Sequence, residues 1–300
     1  MSYKSGPSIK KKFKISISKY IKFYLKKFGE NKKEVRKLTI SKKITSGTKQ
    51  YARSNVNGFT GCSNGCLYCY AMKMALRFER ITSRQEWLEM KPNKRAIEKK
   101  YGKREGRIMF PTSHDITPET YHACIGILKK LLDAGNDVLI TTKPSLTVIT
   151  KMMRDLDGYK AQIQFLFTIT SMDSTLLAFF EPHAPPFKER MLALSLAFIC
   201  GFRTNVSIEP NLERDPFLLI KKVAPCVTDN IWFGIMTQIS RTILPGEIFY
   251  YNYIREINEI ENILKIFHSF KYLPVEIREK IRIKDTIQNL FERKGLEVQF

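Results

Sequence analysis

Cys62, Cys66 and Cys69 fall within eight residues, in the run Gly61-Cys62-Ser63-Asn64-Gly65-Cys66-Leu67-Tyr68-Cys69-Tyr70-Ala71. Three residues separate the first pair and two the second, so three thiolates can wrap one compact metal centre from one side. Gly61 and Gly65 permit positive φ, which lets backbone amides turn towards sulfur. Three thiolates can hold three irons of a cubane and leave the fourth without a protein ligand. Clusters that only carry electrons usually have four cysteines. An open position is instead the pattern of a catalytic metal site. Zinc is the competing reading. It needs a fourth ligand, and the nearest histidine, His114, lies 45 residues beyond Cys69. Zinc modules also favour two ligand pairs over a close triple. A disulfide suits neither an odd cluster nor a chain whose residues Met1 to Lys14 lack the apolar core of a secretory signal.

The elements that would position these thiols follow from periodicity. Lys49 to Asn57 reads as a first strand feeding the cysteine loop, and Tyr70 to Arg80 as a helix. Residues 82–106 are polar, carry Pro92, Gly102 and Gly106, and read as a long connection with some helical turns. From Arg107 onward, apolar strands alternate with amphipathic helices. Strands are expected at 107–112, 137–142, 162–171, 203–208 and 231–236. Helices are expected at 118–134, 145–156, around 173–180 and 186–200, at 215–223 and at 253–267. Six βα units predict an α/β fold, a parallel sheet curled into a partial TIM-type (β/α)6 barrel with its helices outside. In parallel barrels the chemistry lies at the strand C-termini. The expected division is a basic N-terminal extension at 1–48, the barrel at 49–250, and a C-terminal helix and extension at 251–300. Pro274 to Arg293 reads as helical and without chemistry.

The spacing Cys62-x3-Cys66-x2-Cys69, with Tyr68 just before the last cysteine, resembles the signature of the radical SAM superfamily. Asn57-Gly58-Phe59-Thr60-Gly61-Cys62 and Tyr68-Cys69-Tyr70-Ala71 look most like its branch related to spore photoproduct lyase. The resemblance implies the six-unit barrel and a [4Fe–4S] cluster on Cys62, Cys66 and Cys69. It also implies S-adenosylmethionine (SAM) on the open iron, beside Tyr68, and an electron donor such as flavodoxin or ferredoxin. The implied reaction is reductive cleavage of SAM to a 5′-deoxyadenosyl radical that abstracts hydrogen from a substrate, as in a lyase of this kind.

The strand ends offer the remaining contacts. In Phe110-Pro111-Thr112-Ser113-His114-Asp115, the polar run stands where the superfamily binds the SAM amine, so Ser113 and Asp115 would receive the ammonium. The other reading makes Asp115 the cap of a helix near Pro118. Lys143, in Thr141-Thr142-Lys143-Pro144, would neutralise the SAM carboxylate or stand as a solvated lysine. Alternation puts Thr168 and Thr170 on one face, opposite Phe167 and Ile169. The resemblance gives their hydroxyls to the ribose; ordinary β-propensity of threonine is the alternative. Phe180-Glu181-Pro182-His183-Ala184-Pro185-Pro186, then Arg190, Gly201 and Val206-Ser207-Ile208-Glu209-Pro210, resemble the same branch in order. Glu181 and Arg190 read as an ion pair fixing a loop, and Glu209 as a SAM or substrate contact. One departure matters: the branch carries a cysteine just before its Thr-Ser-Asp-like run, and here Pro111-Thr112 supply no thiol. The missing thiol tells against photoproduct repair itself, while the implied cofactor chemistry and a nucleic-acid substrate, lyase-like in kind, stay as expectations. Cys124, Cys200 and Cys226 lack ligand spacing and read as small buried hydrophobes.

Composition sets the outer limits. A chain of 300 residues with 43% hydrophobic content can bury a sizeable core. No apolar run reaches the ~18 residues a membrane span needs. Reduced cysteines point to the cytoplasm. The net charge of +22 is uneven, because residues 1–50 hold 16 Lys/Arg against Glu30 and Glu34. Ile17, Ile21, Tyr24, Leu25 and Phe28 recur there at helical spacing. Such a block suggests a polyanionic partner, nucleic acid foremost, with a solvated arm as the competing reading. Two other classes stay open: a peptide- or protein-modifying radical SAM enzyme, and a non-enzymatic metal-containing nucleic-acid-binding protein.

Overall fold

The computed structural model describes residues 47–237, 239 and 247–294, all within one compact unit spanning 42–296. The basic segment before Gly47, the helix expected in it, and residues 295–300 lie outside the described residues. The strands are β1 (Ser54–Asn55), β2 (Phe59–Thr60), β3 (Lys91–Pro92), β4 (Ile108–Phe110), β5 (Val138–Thr142), β6 (Ile163–Thr168), β7 (Arg203–Ile208), β8 (Ile231–Phe233) and β9 (Ile281–Ile283). The helices between β2 and β5 are α1 (Tyr70–Arg77), α2 (Arg84–Leu88), α3 (Lys94–Glu98) and α4 (Tyr121–Asp133). Then come α5 (Leu146–Asp155), α6 (Ser174–Phe180), α7 (Phe187–Ile199), α8 (Phe217–Val223), α9 (Ile248–Ile257), α10 (Ile260–Phe270), α11 (Val275–Arg278) and α12 (Asp285–Arg293).

Seven strands make one parallel sheet in the order β1-β4-β5-β6-β7-β8-β9, curled into a half-barrel. Register carries side chains of one face across neighbouring strands: Phe110 pairs with Ile140 and Ile140 with Phe165, all fully buried. The Phe165 ring stacks on Phe167 at 5.0 Å and meets Phe202 at 5.4 Å. On the other face Met109, Leu139 and Leu166 pack with Tyr51, Ala52 and Trp232. Strands buried on both faces read as continuous apolar runs, which is why β5 and β6 are so evident in the sequence. Truncating Phe165 to Ala would cost about 3–5 kcal/mol, from lost burial and the cavity left behind.

Three expectations need revision. A seventh strand, β9, lies inside the stretch read as helical, with Ile281 paired to Ile231 and Ile283 to Phe233. Three residues flanked by helices are too few to show a period of two. The single helix expected at 253–267 is two helices, broken at Asn258 and Glu259. The 82–106 connection is more than a connection. Its β3 pairs antiparallel with β2, and Trp87 in α2 packs in a buried group with Cys62, Met72 and Ile81. Ser83 caps α2 by accepting from the Glu86 amide at 3.1 Å, while Glu86 accepts from the Thr82 amide at 2.7 Å, a reciprocal arrangement like a capping box.

Candidate metal and cofactor site

The cysteine loop joins β2 to α1 and is pressed onto the α2 segment. The Cys62 amide donates to the Trp87 carbonyl at 2.8 Å. Gly61 has φ 102°, and a Cβ there would meet the Glu89 carbonyl oxygen at 2.3 Å, so no other residue fits. Gly65 has φ 58°, and a Cβ there would touch Leu88 and the His183 ring at 3.0 and 3.2 Å. The loop is thus held close between two other segments. Cys62 and Cys66 are buried and Cys69 half-buried. Cys69 also caps α1, its Sγ accepting from the Met72 amide at 3.4 Å. Burial pushes all three thiols up, Cys66 to about 12; at Cys69 the Met72 and Ala71 amides oppose the rise.

Two carboxylates organise the surroundings. Asp115 follows β4 and accepts from Asn64 Nδ2 (2.6 Å), Thr142 Oγ1 (2.9 Å) and the Lys143 amide (2.6 Å). Its Oδ2 lies 3.9 Å from Cys62 Sγ and 4.0 Å from Lys143 Nζ. Asp115 therefore ties the cysteine loop to the end of β5. It caps no helix; the turn before α4 is made by Thr117 and Thr120, with the Thr117 amide donating to Thr120 Oγ1 at 3.0 Å.

Glu181, just after α6, is the second hub. It accepts from Tyr68 Oη, from Thr170 Oγ1 at 2.8 Å, and from Arg190 Nη2. Arg190 also donates from Nε to the Pro185 carbonyl at 2.6 Å and from Nη1 to the Thr168 carbonyl at 3.3 Å. The Glu181 and Arg190 side chains are only 0% and 1% exposed, and this is the expected ion pair. Burial alone would raise the Glu181 carboxyl, but Arg190, Lys143 and Tyr68 outweigh it and hold it below the usual range. Lys143 stands between the hubs, its Nζ 5.5 Å from the Tyr68 ring centre. Burial opposes its charge, yet Cys66, Tyr68, Asp115 and Glu181 together hold its pKa well above the usual lysine value. It is a largely shielded cation facing the thiols, its side chain 11% exposed, and not a solvated lysine.

The sequence candidates fall into three groups. Cys62, Cys66, Cys69, Tyr68, Asp115 and Lys143 come together, beside a cleft of about 390 Å³ lined by Asn64, Asp115, Lys143 and His183. Thr170 is buried on Glu181, while Thr168 ends β6 half-buried, paired in register with Ser207. Ser113 lies towards β1, its amide donating to Asn57 Oδ1 at 3.1 Å. Glu209 belongs to a separate group. It accepts from Tyr51 Oη at 2.9 Å and lies 3.5 Å from Lys284 Nζ, and burial raises its carboxyl. His114 is buried: its Nε2 accepts from the Gly58 and Phe59 amides at 3.0 and 3.2 Å, while Nδ1 faces the Asp115 carbonyl. Burial holds its pKa down, so it acts as a neutral backbone clamp. Cys124 is buried in α4; Cys200 and Cys226 are half-buried. Asn57, Asn64, Tyr51 and Lys284 are partners that sequence reasoning did not single out. Lys284 had no local signal, since it sits in a charged segment and meets Glu209 only through the seventh strand.

The donor set fits a three-thiolate cluster. Three cysteines share one rigid loop, an amide points at one sulfur, and one largely shielded cation stands close to offset the negative charge. Among the described residues no three His, Cys, Asp or Glu side chains are arranged as a single-ion cage; a cubane, whose thiolates bind separate irons, needs no such cage.

No family model matches the chain. An uncharacterized protein of Acidianus two-tailed virus is 29% identical, over 60% of this chain and 66% of that protein. An uncharacterized protein of Methanocaldococcus jannaschii is 26% identical, over 60% of this chain and 68% of that protein. Among solved structures, a spore photoproduct lyase variant is similar at 17% identity and TM-score 0.44, over 65% of this chain and 59% of that one. SuiB of Streptococcus suis bound to precursor peptide SuiA is similar at 12% identity and TM-score 0.49, over 79% of this chain and 51% of that one. The chain thus spans less than two thirds of either of these solved structures. Among the described residues no helix is long and apolar enough to cross a membrane.

Proposed function

We propose that the chain is a radical SAM enzyme, with Cys62, Cys66 and Cys69 as ligands of a [4Fe–4S] cluster and SAM on its open iron. The observation that carries this reading is the convergence of the cysteine loop with Asp115 and Lys143 at the C-terminal ends of β4 and β5. A cluster held by Cys62, Cys66 and Cys69 would supply one-electron reduction of SAM bound beside it, the chemistry that opens the way to hydrogen abstraction from a substrate. The protein supplies the rest. Lys143 offers a largely shielded positive charge to the methionine carboxylate. Asp115 orients Lys143 and Asn64, and Ser113 adds a hydroxyl near the same strand end. Tyr68, fixed by Glu181, walls the site. Thr168, at the end of β6, would offer its hydroxyl to the ribose. Glu209 serves SAM or substrate further along the sheet. Thr170 acts through Glu181, as a positioning residue. An electron donor such as flavodoxin or ferredoxin completes the cycle, and the cytoplasm is the compartment that keeps the thiols reduced.

The test is anaerobic reconstitution with iron and sulfide, followed by iron counting and by assay for 5′-deoxyadenosine after dithionite and SAM. About four irons per chain and 5′-deoxyadenosine are expected. One zinc per chain and no nucleoside product would replace this reading with a structural metal site.

A further inference from the structure

We propose that the N-terminal ends of the strands, the floor of the half-barrel opposite the cysteine loop, bind the phosphodiester backbone of a nucleic acid. This goes beyond the cofactor reading and stands without it. Arg107 precedes β4, and its Nη1 donates to Oε1 of Gln164, a buried residue of β6. Gln164 pairs in register with Arg203 at the start of β7, so the two arginines flank Gln164 in one cleft, about 250 Å³ in volume. Arg107 also lines a second cleft with Lys49, Gln50, Tyr51 and Arg53. One guanidinium thus borders two adjoining hollows, each with a further basic group.

Among the described residues Arg107 has no carboxylate within ion-pair distance. Arg203 pairs with Asp229 at 2.6 Å and Arg53 with Glu105 at 3.0 Å, through side chains of the arginines that are 53% and 66% exposed. Exposed pairs contribute only about 0–1 kcal/mol, so a phosphate can take over either arginine at small cost. Burial and the facing Arg203 hold the Arg107 pKa below the usual arginine value, with Asp229 and Asp137 only partly opposing them; an anion between the two guanidiniums would relieve the remaining repulsion. Asp137 lines the first cleft, and Asp229 and Glu105 are held by Arg203 and Arg53; Lys103 and Arg104, in the loop before β4, are engaged by the Gly135 carbonyl and Ser54 Oγ. Lys49, on this floor, is also the continuation of the basic segment: residues 1–50 hold 16 Lys/Arg against Glu30 and Glu34. Planar guanidiniums about a shared cleft match phosphate oxygens in two directions. A nucleic acid held here lies across the barrel from the cysteine loop, so the floor is an anchoring site and not the place of reaction.

The experiment is fluorescence anisotropy of a labelled single-stranded 20-mer with the full chain, across a salt series, with inorganic phosphate and polyglutamate as competitors. The parent should bind at low salt and resist competition by polyglutamate. Arg107→Gln combined with Arg203→Gln should bind roughly tenfold more weakly, its slope of log affinity against log salt shallower by about 1.4 for two lost contacts. Arg107→Lys should keep most of the slope. Iron content, measured on the same preparations, should not change in any variant, which separates this test from that of the cofactor site. Unchanged affinity and slope in the double variant, no binding by the parent, or equal competition by polyglutamate would each overturn the proposal. The last outcome would point to an acidic protein instead.

Discussion

The two ends of the half-barrel handle charge in opposite ways. At the cysteine end, Asp115, Glu181 and Arg190 are buried and each is held by several partners, and Lys143, with its side chain 11% exposed, stands between them. At the floor, Arg53 and Arg203 stand largely in water, each with one carboxylate, Glu105 and Asp229. Buried groups in low dielectric are costly unless fully satisfied, and once satisfied they fix a geometry. Exposed pairs fix little and stay available to a ligand. The contrast separates a pre-organised end, suited to holding a reactive cofactor, from an adaptable one suited to a flexible polyanion.

The sharpest break in this comparison is at the thiols. Cys62→Ala, Cys66→Ala or Cys69→Ala should each drop iron from about four per chain to near zero on reconstitution. Cys124→Ala, in the core of α4, should keep the iron. Normal iron in Cys66→Ala would remove the loop from the site altogether. The next effect is on stability. Arg190→Met leaves the Glu181 carboxylate buried beside Tyr68 and Thr170, and should cost about 3–5 kcal/mol in urea unfolding. Arg203→Gln at the floor should cost no more than about 1 kcal/mol. Equal costs would mean that the two ends are built alike.

Much of this contrast was legible in the sequence, and the illegible part has physical causes. The cysteine spacing, β5, β6 and β7 are local signals: a motif within eight residues, and apolar runs long enough to show themselves. Glu181 with Arg190 was legible too, since they bracket one proline-rich loop. Tyr68 joining that pair was not, because the contact spans 113 residues. Asp115 could be read as a cap or a ligand; only the approach of Asn64 and Lys143 decides for a hub. Lys284 and β9 were missed for one shared reason. A three-residue strand carries no period, and its pairing with β8 alone brings Lys284 to Glu209 and Tyr51.

A pH series sharpens the comparison at the next level. Without metal, Cys66 ionises in the folded state at about 12, against 9.0 as its ordinary value, because burial disfavours the thiolate. The sign follows directly: the folded state keeps the proton longer, so this contribution is complete below about pH 9 and is lost as pH rises towards 12. Cys62 and Cys69 are raised in the same direction, as is Cys124, to about 12. Each thiol can remove up to about 1.4 kcal/mol per pH unit in that window. The metal-free protein should therefore lose thermal stability between pH 9 and 11, and less steeply in Cys66→Ala. An equal slope in that variant would place Cys66 in water. Metal loading should also release protons, measurable in weakly buffered solution.

A smaller effect than that of Arg190→Met is expected at Tyr51, which lines the floor cleft and reaches Glu209. Its ring meets Trp232 edge-on at 4.7 Å, Lys284 Nζ stands 4.1 Å from its centre, and its hydroxyl donates to Glu209. The same segment is tethered further, with the Gly47 amide donating to Asp285 Oδ2 at 2.9 Å and the Asp285 amide to Gln50 Oε1 at 3.2 Å. Tyr51→Phe keeps the ring, its packing and the cation above it, and removes one hydrogen bond to a carboxylate that still has Lys284. A loss of about 1–2 kcal/mol is expected, with iron content unchanged. Lys284→Met should cost more, because it leaves Glu209 without its cation and removes the cation over the ring. If Tyr51→Phe instead costs as much as Arg190→Met, or lowers iron, then the segment before β1 helps to shape the cofactor end. The boundary between the rigid and adaptable halves would then run below Tyr51, at Arg107 and Gln164.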